Sequence, residues 1–72
     1  MKKRLETEKQ AVSLAVSGII KKYNVAPSDV KTLQTLYDGE TGDWYVALGF
    51  GKKRAVVRMD SVHAAILEIN EI

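Results

Sequence analysis

Lys52, Lys53, Arg54 and Arg58 fall within seven positions, and with Lys2, Lys3 and Arg4 they hold seven of the eleven Lys and Arg residues of the chain. Clustered cations neutralise phosphates, and a flat aromatic beside them can stack on a base. If Tyr45 and Tyr37 share an outward sheet face with Arg54 and Arg58, that face pairs rings with guanidinium groups as single-stranded nucleic-acid platforms do. The residues expected to contact DNA or RNA are therefore Lys52, Lys53, Arg54, Arg58 and Tyr45. A plainer reading has the lysines guarding a hairpin edge against aggregation and the arginines solvating a sheet face. A formal net charge of +2 is a small electrostatic footprint.

Other reactive side chains suggest less. Asp38, Glu40 and Asp43 are the densest carboxylate group, and such a group can hold a hard cation or divide acid and base roles. Their spacing is not that of a calcium loop, and Asp and Gly suit a turn for conformational reasons alone. His63 is the one histidine, the side-chain type an acid–base enzyme would be expected to recruit, yet no Ser, Asp and His set assembles around it from spacing. Gly39, Gly42, Gly49 and Gly51 match neither the dinucleotide fingerprint nor a phosphate loop. With no Cys, disulfide and thiol chemistry are excluded. The expectation is a non-enzymatic protein with no metal and no cofactor.

These residues must be placed by few elements. Leu5, Val12, Val16, Ile19, Ile20 and Tyr23 keep to one face of a helix running from Leu5 to Tyr23. Lys21 and Lys22 complement its carboxyl end, Asn24 can cap it in a left-handed conformation, and Pro27 prevents continuation. A β-branched and aromatic run predicts a strand over 31–37, and Trp44, Val46, Leu48 and Phe50 alternate with Tyr45, Ala47 and Gly49 in a second. Gly51-Lys52-Lys53 turns into a third strand from Arg54 to Met59, with Ala55, Val57 and Met59 on the core face. Asp60 or Ser61 then caps a final helix carrying Val62, Ala65, Ile66 and Ile69 on one stripe.

The fold class expected is α+β, a two-layer α-β-β-β-α domain in which a three-stranded antiparallel meander packs on two helices. One domain spans 1–72, with residues 1–4 frayed. Glu6, Glu8, Lys9 and Gln10 follow the basic start where a signal peptide needs apolar residues, and no membrane-length apolar run occurs. A cytoplasmic location without membrane contact is expected. Leu14 departs from the main helical stripe, pointing nearly opposite it at about 100° per residue, near Ala11 and Gly18. Small residues let a second helix approach one large side chain, so Leu14, Ala11 and Gly18 are the expected interface of a homodimer.

The order helix, three strands, helix is similar in topology to the double-stranded RNA-binding domain, which implies recognition by shape and phosphate contacts. Asp60-Ser61-Val62-His63 stands where that family carries its basic cluster. A second likeness rests on Thr7-Glu8, the helix through Ile20, the strand ending at Tyr37, the strand from Tyr45 to Leu48, and Asp60-Ser61. In these the chain resembles the carboxy-terminal accessory module of predicted restriction-type endonucleases related to the amino terminus of the type I restriction R subunit. That resemblance implies an accessory module without catalysis. Two functions follow as expectations: a small nucleic-acid-binding module using a basic hairpin, or a protein-interaction module acting through the sheet face or the first helix.

Overall fold

The computed structural model describes residues 4–72. One helix, α1 (Glu8–Tyr23), leads through a 3-10 turn (Pro27–Asp29) into four strands: β1 (Val30–Asp38), β2 (Asp43–Phe50), β3 (Lys53–Asp60) and β4 (Ala65–Glu71). They pair antiparallel in the order β1-β2-β3-β4. The α+β class stands, with one helix and four strands instead of two helices and three strands.

The expected final helix is β4, and the reason lies in a bulge. Arg58 pairs with Glu68 but Met59 pairs with Ile66, so Leu67 is an extra residue in the ladder. Ile66 and Ile69 therefore both face the core at a spacing of three, which imitates one face of a helix. Asp60 does accept a backbone hydrogen bond, from the Val62 N–H at 3.0 Å, but it caps a turn rather than a helix. Ala64 closes that turn at φ 54°. It is the counterpart of Gly42, φ 77°, which ends the four-residue loop between β1 and β2.

Helix α1 starts later than its apolar pattern suggests. Thr7 caps it: the Thr7 hydroxyl accepts from the Gln10 N–H at 3.2 Å, and the Gln10 side chain accepts from the Thr7 N–H at 3.1 Å. Leu5 lies ahead of the helix, buried, with its N–H and that of Arg4 both donating to the Ser61 carbonyl. Arg4 is thus tied down rather than frayed, while Met1, Lys2 and Lys3 lie outside the described residues. At the other end Asn24 adopts the left-handed cap its type suggests, φ 55°, and donates to the Ile20 carbonyl.

The buried line along α1 is Ala11, Ala15 and Ile19. Alanine lets the helix backbone come close to the sheet, and Val12, Val16 and Tyr23 pack on its flank. Of the interface assigned to a second copy, Ala11 and Gly18 are thereby turned to the sheet, while Leu14 stays half-buried and borders a surface hollow with Lys9, Gln10, Ser13 and Ser17. Ala11 is fully buried, Leu14 packs against the core, and a Cβ on Gly18 would lie 2.5 Å from the Ile66 Cδ1. Opposite them, β2 and β3 send Trp44, Val46, Leu48, Phe50, Ala55, Val57 and Met59 into one core. No helix among the described residues is long and apolar enough to cross a membrane.

Candidate interaction surface

Alternation along the strands assigns every second residue to the face away from α1. In β2 these are Asp43, Tyr45, Ala47 and Gly49; in register beside them stand Leu36, Gln34 and Lys31 of β1 and Arg58, Val56 and Arg54 of β3. Tyr45, Arg54 and Arg58 thus share the outward face as expected, and Leu36 lies directly opposite Tyr45. Tyr37 does not join them. It pairs with Trp44 on the core side, ring centroids 4.9 Å apart.

Charge at the Tyr45 end of this face is internal. The Arg58 Nε donates to the Asp43 Oδ2 at 2.9 Å, and its Nη1 lies 3.6 Å from the Glu68 carboxylate. Asp43 is buried, and its hydrogen bond and charge raise the pKa of Arg58. Arg58 is therefore committed to two carboxylates instead of standing free for phosphate. Asp43 leaves the acidic loop for the same reason, while the Asp38 Oδ1 accepts from the Glu40 N–H at 2.9 Å and shapes a turn. Among the described residues no group of three or more His, Cys, Asp or Glu could hold a metal. His63 is largely exposed and contacts the Asp60 carboxylate across the β3–β4 turn.

The remaining basic residues gather at the other end of the sheet. Gly51, at φ 63°, and Lys52 form a two-residue turn between Phe50 and Lys53, the arrangement that fits a type II′ hairpin. Lys31, Lys52, Lys53 and Arg54 border an open cleft of about 880 Å³ whose apolar side includes Tyr23, Val25 and Phe50. Lys53 lies 4.0 Å from Glu71 and over the Tyr23 ring, whereas Lys31, Lys52 and Arg54 form no ion pair among the described residues.

What sequence reasoning missed is apolar. Leu33, Leu36, Leu67 and Ile72 are 53%, 56%, 50% and 71% exposed. Leu33 is the extra residue of a second bulge, between Thr32 and Gln34, and its Cδ1 lies 3.6 Å from where a Cβ on Gly49 would stand. Leu33 and Leu36 therefore belong to the uncovered face at β1, with Leu67 and Ile72 exposed on or just past β4. The signal was present as leucines in the run over 31–37 that no helix stripe could cover. No protein family, curated protein or solved structure was found that matches the chain.

Proposed function

We propose that this domain is a non-catalytic interaction module that binds a protein partner through the open face of its sheet. One observation carries the reading: Leu33 and Leu36 stand more than half exposed on that face beside an Arg58 already paired with Asp43 and Glu68, and Leu67 and Ile72 add exposed apolar surface on and just past β4. Apolar surface of this kind marks protein contact, and of the cations Lys31, Arg54 and Arg58 on this face only Lys31 and Arg54, at the end near the β2–β3 turn, are left uncompensated for phosphate among the described residues. An accessory role beside another domain or protein is compatible with such a surface.

A second reading, binding of single-stranded DNA or RNA, is favoured by Lys52 and Arg54, free cations beside the cleft at the β2–β3 turn. One pair of titrations separates the two. Binding of an apolar fluorescent dye should be strong in the parent and lost in a Leu36→Glu, Leu67→Glu variant, while mixed-sequence oligonucleotides bind weakly even at low salt. Tight oligonucleotide binding that falls steeply with salt and disappears in Lys52→Glu, Arg54→Glu would overturn the protein-binding reading.

A further inference from the structure

We propose that the partner's contact element is an amphipathic α-helix lying along the strands on the open face, acidic at the end above the β2–β3 turn. The inference rests on the sheet face being a protein-binding surface, and adds what binds there.

Width is the first argument. On the inner face a single helix, α1, touches all four strands. Edge strands three spacings apart are separated by about 14 Å, and a helix with its side chains is about 10–12 Å across. One helix therefore suffices to cover a face of this size, and the outer face has the same width without one. Relief is the second. Leu33 and Leu36 rise on β1, Leu67 is exposed on β4, and the middle strands present Ala47 and Val56 between them. Two such faces pressed together would meet along their leucine rows and leave a gap over the small residues, so a second copy fits poorly. A helix set between the rows fills that gap with its own apolar stripe.

Charge fixes the direction. At the end bearing Tyr45, Arg58 is outweighed by its two partners Asp43 and Glu68, so a helix there meets no free cation among the described residues and a local charge of −1. At the end near the β2–β3 turn, Lys31 and Arg54 share the face, paired in register through Gly49, and form no ion pair among the described residues. Carboxylates at that end of the incoming helix would complement them.

The test uses two synthetic helical peptides of sixteen residues, the length of α1, each with Leu and Ala on one stripe. One carries Glu beside the stripe at one end and the other carries Lys there. The Glu peptide should bind the full chain, measured by fluorescence anisotropy, with amide shifts in its nuclear magnetic resonance spectrum centred on Leu36, Ala47 and Val56. Leu36→Glu with Leu67→Glu should abolish binding, and Arg54→Glu should reverse the preference between peptides. No binding up to millimolar peptide, or shifts centred on α1, overturns the helix. Sedimentation showing a dimer that the same Leu→Glu changes dissolve would assign the face to a second copy instead. If dye binding is lost in the Leu→Glu variant while neither peptide binds, the helix falls and the protein-binding face survives. If dye binding persists in that variant, the face itself falls.

Discussion

Trp44 is anchored twice, by its ring in the core beside Tyr37 and by its Nε1, which donates to the buried Leu5 carbonyl at 3.0 Å. Trp44→Ala should cost about 3–5 kcal/mol, comparable to everything a core of this size supplies, and leave the chain unfolded by circular dichroism. Trp44→Phe keeps most of the packing and strands one carbonyl, so a folded variant weaker by about 1–3 kcal/mol is expected in urea titration. Ala64 invites the opposite change. Its φ of 54° is one glycine adopts without strain, as Gly42 does in the matching loop, so Ala64→Gly should raise stability by about 0.5–1 kcal/mol. Asp60 supplies a pH dependence. The His63 contact, and then the Val62 N–H, hold its carboxyl below the ordinary value of 3.8. A lowered acid pKa contributes stability that is complete above the unfolded value and is lost as pH falls through the folded one. Thermal melts should therefore weaken below about pH 4, and Asp60→Asn should flatten that acid limb. Equal limbs in the two proteins would show that the contact does not form in solution.

Elements were legible where one physical signal acted alone. The alternation of Trp44, Val46, Leu48 and Phe50, the glycine turn into β3 and the Asn24 cap each reflect a local rule with no competitor. β4 was not legible, because the bulge at Leu67 replaces a period of two by a spacing of three and Asp60 makes a capping bond that helices also use. The contact face of α1 was misplaced for another reason: the largest apolar residues were read as its centre, whereas close approach to a sheet selects Ala11 and Ala15. The candidate site divided in the same way. Its cations were visible as a run, but the commitment of Arg58 to Asp43 depends on register, which composition does not encode. The helix packing makes its own prediction. Ala15→Leu should push α1 off the sheet and cost about 1–3 kcal/mol. Leu14→Glu should lower the thermal midpoint equally at all protein concentrations, since Leu14 packs against the core. A midpoint loss that appears only at high concentration would restore a helix-mediated dimer.

At the scale of the molecule, one helix covers one side of a four-stranded sheet and the other side keeps its leucines in water. Both outer strands carry bulges while the β2–β3 ladder runs without one. Bulged edges resist further strand pairing, so the fold guards its edges against association while leaving its face available for it. Such a division predicts that solubility and stability respond separately. Leu36→Glu and Leu67→Glu replace exposed side chains that hold nothing in the core, so each should shift the urea midpoint by less than about 0.5 kcal/mol in equivalent stability. The same changes remove the apolar surface that excluded salts drive together. Ammonium sulfate should therefore precipitate the parent at a lower concentration than the double variant, with urea curves that nearly coincide. Coincident precipitation would show that the face is covered in solution. A large loss of stability in the variant would show instead that these leucines belong to the core, and the open sheet would then owe its apolar character to folding rather than to binding.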